Sequence, residues 1–334
     1  MKEDYVARLR EGQGVDSTFA LRAKEVRSTR SGEAYLSLDL GDRTGHIPAV
    51  CFRPDGDARS VPVGTVVRVR GTVTSYRGVR RVSVESLRPV AAYDVADLLP
   101  SGRRDRAELA RRFTTLRSSV RDRALADVLD GVFSDPVVAS RFGRWPASRS
   151  AHHAYVGGLL EHTVCVASLC RRLATVYEGV DGDLLLAAAL MHDVGKVDEL
   201  TCDVSIEYTD EGRLIGHVVL GDRRVRAAAE RLGTTLRPDV AGRLSHVVLS
   251  HHGELEWGAP KRPSTVEALL LHHADNLDAK ASGFLEIAAG ASAVEERWTD
   301  VANLFRRPLY VPRALEDEPL DVPEEDDEHL VRSA

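Results

Sequence analysis

Two hydrophobic periods divide the chain. Up to residue 92, apolar positions alternate with polar ones in short runs broken by glycine turns; from Arg106 they recur every three or four residues. In "TFALRAKEVRSTRSGEAYLSLDLGDRTGHIPAVCF", Phe19, Leu21 and Ala23 share a face. Tyr35, Leu36, Leu38 and Leu40 mark a second strand and Ile47 to Phe52 a third, with turns at Ser31-Gly32 and Gly41-Asp42. In "VGTVVRVRGTV", Val67, Val69 and Val73 alternate with Arg68 and Arg70. A Tyr76-Arg77-Gly78 turn then leads to Val82, Val84 and Leu87. Five short strands, with Gly71 where one must bend, predict a closed barrel over residues 1–92.

Residues 93–104 lose the alternation and contain Pro100 and Gly102, which predicts a linker. Leu109, Phe113, Leu116 and Val120 then set a helical spacing that continues over 105–312, interrupted by a short hairpin expected in "VSIEYTDEGRLIG". "LLLAAALM" (184–191) is apolar all round, so that helix, expected to start at Asp183, must be buried. Ser264-x-x-Glu267 reads as a capping box opening a later helix. Residues 313–334, acidic and carrying Pro319 and Pro323, are expected to be disordered. The fold class is therefore multidomain: an all-β barrel followed by an all-α body.

Composition narrows the classes. With 43% hydrophobic and 29% charged residues in 334, this is globular composition, and no apolar run reaches the length of a membrane span. The start "MKEDYVARLR" has no apolar signal region, and the four cysteines form no C-x-x-C pair; a reducing cytoplasm fits both. The net charge of −6 is concentrated in the tail. Residues 1–92 carry 16 basic and 11 acidic side chains, and residues 103–150 carry 11 and 6. Two basic blocks suit a polyanionic partner, although arginine-rich solvated surface would look the same. At the barrel turns, Lys24, Arg27, Arg80 and Arg77 interleave with Tyr35, Phe52 and Tyr76. A single-strand nucleic-acid groove needs that mixture, arginines for phosphates and rings for bases. Taken singly, each ring reads first as barrel core.

Ten of the 12 histidines lie between residues 152 and 273. His162 shares a helix face with Val166, Leu169, Leu173 and Val176, so it points inward. His192 and Asp193 end the apolar "LLLAAALM" helix, where an unpaired carboxylate would cost roughly several kcal/mol. A divalent cation removes that penalty and takes imidazole and carboxylate as ligands. His217, the adjacent His251 and His252, and Asp275 complete the candidate set.

The order His162, His192-Asp193, Asp275 resembles the ligand order of the HD-domain metal phosphohydrolases, and the barrel resembles a nucleic-acid-binding OB-fold. "HHAYVGGLLEHT", "LMHDVGKVDEL", "LSHHGELEWGAPKRP" and "HHADNLDAK" are similar to the YhaM-type 3′-to-5′ exoribonucleases, which join the two domains in this order. The resemblance implies two metals. One would be held by His162, His192, Asp193 and Asp275, the other by a bridging Asp193 with His217, His251 and His252. Mn²⁺ is the expected metal, with Fe²⁺, Co²⁺ or Mg²⁺ as alternatives. It implies that Lys196 contacts the scissile phosphate. His152 and His153 would meet phosphate or protonate the leaving oxygen, or else serve the structure alone, and Lys261 and Arg262 would touch substrate. Asp278 reads as a helix-surface partner of Lys280, apart from the chemistry. The expected product is nucleoside 5′-monophosphate from single-stranded RNA, with single-stranded DNA and homo-oligomerisation left open. Two rivals stand: an HD-type nucleotide phosphohydrolase or cyclic-nucleotide phosphodiesterase, and a nucleic-acid-binding module with an inactive HD centre.

Overall fold

The computed structural model describes the chain except residues 1, 3, 30, 77, 103, 151, 232–235, 292–296, 302 and 312–334; for 290 and 291 it describes backbone alone. Arg77 and the acidic tail therefore lie outside the described residues. Two compact units are present, Met1–Ala279 and Lys280–Ala334.

The first unit opens with the barrel. Strands β1 (Gly14–Ser28), β2 (Ala34–Asp42), β3 (Gly45–Cys51), β4 (Val66–Tyr76) and β5 (Val79–Pro89) close in the order β1-β2-β3-β5-β4, with a short helix α1 (Gly56–Ser60) between β3 and β4. All pairings are antiparallel except β3 with β5. The alternation of β1 is broken by a bulge between Leu21 and Ala23. Phe19, Ala20 and Leu21 are consecutively buried and Ala23 is exposed, against the expected face. Gly71 sits at a second register shift, where a Cβ would lie 2.2 Å from the Ser83 carbonyl oxygen. Only glycine lets β4 bend against β5 there.

The stretch expected to be the linker packs as a strap. Leu98 is buried with Ala20 and Val66 of the barrel and with Val204 of the helical body. Leu99 packs with Leu200, Cys202 and Ile206. The Val156 amide donates to the Pro100 carbonyl at 2.9 Å.

The helical body comprises α2 (Arg106–Ser118), α3 (Arg123–Phe133), α4 (Pro136–Arg141), α5 (Gly158–Val176), α6 (Gly182–Met191), α7 (Lys196–Glu199), α8 (Asp210–Leu214), α9 (His217–Arg231), α10 (Pro238–Ser250) and α11 (Val266–Ala291). Its core is one apolar cluster around α6, in which every residue from Leu184 to Met191 is buried. Asp181, not Asp183, caps α6 by accepting from the Leu184 amide; Asp183 instead accepts from the Arg121 and Asp122 amides. The expected hairpin is only an isolated bridge, Leu200 to Tyr208, because Thr209 then caps α8. The capping box is also corrected. Thr265 accepts from the Ala268 amide, and Glu267 turns inward to the Asp181 amide and Arg243.

In the second unit, a bridge joins Trp298 to Tyr310 and Phe284 stacks edge-on against Phe305. Among the described residues no helix is long and apolar enough to cross a membrane.

Candidate metal centre

Five helices and the turns at their ends bring histidine and aspartate to one point. His162 lies in the first turns of α5, fully buried. Because α6 is apolar on every side, its C-terminal end stops inside the molecule, and His192 and Asp193 follow it there. The chain then turns directly into α7. A Cβ at Gly195 would lie 2.2 Å from the His217 carbonyl oxygen and 2.5 Å from the Gly221 amide nitrogen. The glycine of "HDVGK" therefore lets α9 approach, and His217 is the first residue of α9. His251 and His252 follow the end of α10, and Asp275 lies on α11.

Asp193 is central and 2% exposed. Its Oδ2 faces Nε2 of His162 at 3.3 Å and of His192 at 3.5 Å. Its Oδ1 faces Nε2 of His217 at 3.4 Å and of His251 at 3.6 Å. Asp275 Oδ1 is 3.1 Å from His162 Nε2, and His252 Nε2 is 3.2 Å from His217 Nε2. All seven residues anticipated from the sequence meet here, as two groups on opposite oxygens of one carboxylate.

The far side of each ring fixes its tautomer. Nδ1 of His192 donates to the Ala189 carbonyl at 2.8 Å, that of His251 to Val248 at 2.7 Å and that of His252 to Trp257 at 2.7 Å. His162 Nδ1 donates to Asp278 Oδ2 at 2.7 Å and His217 Nδ1 to Glu199 Oε1 at 2.8 Å. Carbonyl and carboxylate oxygens only accept, so each Nδ1 carries hydrogen and each Nε2 can present a lone pair to the centre.

These groups fit divalent cations. Both Asp193 oxygens and His251 Nε2 are buried without a hydrogen-bond partner. The Lys196 ammonium stands 2.7 Å from Asp193 Oδ2, close enough for charge pairing but out of line for a hydrogen bond. His162 and His192 bring Nε2 atoms within 3.2 Å of each other, the spacing expected of two nitrogens each about 2.1 Å from one ion. Around Asp193, Asp275, Asp278 and Glu199, Lys196 is the one lysine in contact among the described residues, so negative charge is in excess.

Protonation agrees with that donor set. Burial pushes His192 down to about 4 and His252 down to about 3, holding both neutral. Burial opposes charge on Asp193 too, but its surroundings, the Lys196 ammonium foremost, hold the carboxyl well below its usual range. His162 behaves differently. Burial lowers its pKa, yet the facing carboxylates of Asp193, Asp275 and Asp278 raise it well above the usual value. A proton on that ring does part of what a cation would do.

Other anticipated residues are placed differently. His153 directs Nε2 to Asp278 Oδ2 at 3.0 Å and Nδ1 to the Tyr155 hydroxyl at 2.7 Å, so both ring nitrogens serve the protein rather than a leaving group. His152 lies with its ring centre 5.7 Å from that of His162; burial and the charge of its neighbours push it down to about 4, so it offers a hydrogen bond rather than charge. Lys261 and Arg262 are exposed, and Arg262 pairs with Glu254 at 3.0 Å. Asp278 is buried at the centre, not paired outward on its helix. Glu199, the other carboxylate behind a histidine, was not singled out in the sequence. For Asp278, named but placed outward, the available signal was spacing: it falls three residues after Asp275 on one face of α11.

On the barrel, the core reading fails for the rings. Phe52 and Tyr76 are about half exposed, Tyr35 is half-buried, and Tyr35 and Phe52 stand 5.5 Å apart between ring centres. Arg27, opposite Tyr35 in the β1–β2 register, is exposed and pairs with Glu25. Arg81, not anticipated, stacks over Tyr76 at 4.5 Å. Lys24 donates to the Arg59 and Val61 carbonyls and Arg80 to the Leu9 carbonyl, so both are engaged by backbone.

Barrel and helical centre together define an OB-fold joined to an HD domain. The profile of the OB-fold nucleic acid binding domain matches residues 22–90, and that of the HD domain, which implies a divalent metal, matches residues 159–280. The 3′-5′ exoribonuclease YhaM of Halalkalibacterium halodurans is 32% identical over 93% of this chain and 97% of its own. Those of a Geobacillus species and of Bacillus subtilis are each 33% identical over 80% of this chain, covering 83% and 86% of theirs. The chain belongs to the YhaM family of 3′-5′ exonucleases.

Proposed function

We propose that the protein is a metal-dependent 3′-to-5′ exoribonuclease that hydrolyses single-stranded RNA, and single-stranded DNA where it is offered, to nucleoside 5′-monophosphates in the cytoplasm. The observation that carries this reading is Asp193. Its two oxygens lack hydrogen-bond partners and face separate groups of imidazoles. One ion would be held by His162, His192, Asp193 and Asp275, the second by Asp193, His217, His251 and His252. Several imidazoles with carboxylates favour Mn²⁺ over Mg²⁺, which prefers all-oxygen shells. When bound, such cations lower the pKa of water and neutralise charge growing on the phosphate.

The chain's own residues do the rest. Lys196 stays charged because Asp193 outweighs the penalty of burial, and from there its ammonium reaches toward the scissile phosphate. His152 offers a neutral ring beside His162, and Lys261 and Arg262 add positive charge on the loop after His252. On the barrel, Arg27 and Arg81 with Tyr35, Phe52 and Tyr76 supply the phosphate contacts and stacking faces for a single strand. Those half-exposed rings favour a polynucleotide over the free nucleotides of the rival HD phosphohydrolases.

Digestion of end-labelled RNA 20-mers with and without chelator tests the proposal. A 5′-labelled strand should give a descending ladder and a 3′-labelled strand labelled mononucleotide at once, both only with metal. Gradual shortening of the 3′-labelled strand reverses the polarity, and full activity in chelator removes the metal.

A further inference from the structure

Three of the five imidazoles at the centre rest on backbone carbonyls, and two rest on carboxylates, one in each half. We infer that Asp278 and Glu199 are positioning residues that separately set the affinity of the two metal sites, Asp278 through His162 and Glu199 through His217. The inference rests on the two-cation reading above.

A carbonyl fixes a ring's tautomer, whereas a carboxylate also strengthens the donor power of the opposite nitrogen. Each carboxylate is buried and held by further contacts. Asp278 Oδ2 accepts from His162 and from His153, whose other nitrogen meets the Tyr155 hydroxyl. Tyr155 in turn donates to Glu161 Oε2 at 2.8 Å. This chain of groups pins Asp278 behind His162. Glu199 is pinned independently, accepting from both the backbone amide of His217 at 2.9 Å and its ring. The cluster of His153, His162 and Asp278 has ligand-like spacing, but its facing atoms already satisfy one another at hydrogen-bond distance, so it serves as support for His162 rather than as a third metal site.

The test is competition of Mn²⁺ binding with graded chelator, with bound metal counted by mass spectrometry, on the full-length protein. Wild type should bind two ions. Asp278→Ala should weaken one of them about 10- to 100-fold and leave the other unchanged. Adding Asp278→Ala to His162→Ala should have no further effect on the ion that remains. Glu199→Ala should weaken the other ion, with the same relation to His217→Ala. Tyr155→Phe, which keeps every carboxylate, should weaken the Asp278-dependent ion alone and by less, and it stands in if Asp278→Ala does not fold. Equal weakening of both ions by either carboxylate variant, or of neither, overturns the inference. A wild type that binds no metal overturns the two-cation reading instead.

Discussion

At the scale of single residues, the centre turns on Asp193, because one buried carboxylate serves two groups of rings. Asp193→Ala should abolish hydrolysis of both RNA and bis-p-nitrophenyl phosphate, while single-stranded RNA binding, measured by fluorescence anisotropy, persists on the barrel. Retained hydrolysis would remove Asp193 from the centre. Lys196→Ala removes a charge and no proposed ligand. It should leave metal content unchanged and cost about 2–4 kcal/mol in turnover, roughly 30- to 1,000-fold; near-full turnover would return Lys196 to a supporting role. The candidate ligand residues were legible in the sequence because polar groups closing apolar helices stand out against their surroundings. Asp278 and Glu199 were not, because a carboxylate on a helix looks alike whether it faces solvent or a histidine, and only the packing of α5 on α11 and of α7 on α9 decides.

Among the elements, α6, α7 and α9 are locked together by an absence of side chain. Gly195→Ala would drive a methyl into the His217 carbonyl and the Gly221 amide, both backbone and unable to swing away. The expected cost is about 1–3 kcal/mol of stability, seen as a lower urea midpoint, with weakened metal binding because His217 is displaced. Unchanged stability and metal content would show that α9 tolerates a shift. Helix and strand positions were readable from periodicity wherever one face is buried. Reading failed where a local device intervened. The bulge at Leu21–Ala23 turned Ala23 outward, Thr209 capped a helix where a second hairpin strand was expected, and Leu98 and Leu99 made a packed strap from a sequence with linker composition.

For the whole molecule, the order of blocks along the chain already showed a barrel followed by a helical metal domain, because each has its own hydrophobic period. The junction was hidden, since Leu98 meets barrel and helical body at once and its partners lie far apart in sequence. Removing the barrel would uncover that contact, so point changes probe its role more cleanly. The double change Tyr35→Ala with Phe52→Ala should weaken single-stranded RNA binding by about 1–3 kcal/mol per base unstacked and leave bis-p-nitrophenyl phosphate hydrolysis unaltered. Arg27→Ala should weaken RNA binding and flatten its salt dependence. RNA affinity unchanged in both variants would take the strand off this face of the barrel. The shared carboxylate is tested most directly by anomalous diffraction from crystals grown with Mn²⁺. Two peaks roughly 3.5–4 Å apart, one beside each oxygen of Asp193, are the expected result; a single peak, or peaks away from Asp193, would contradict it.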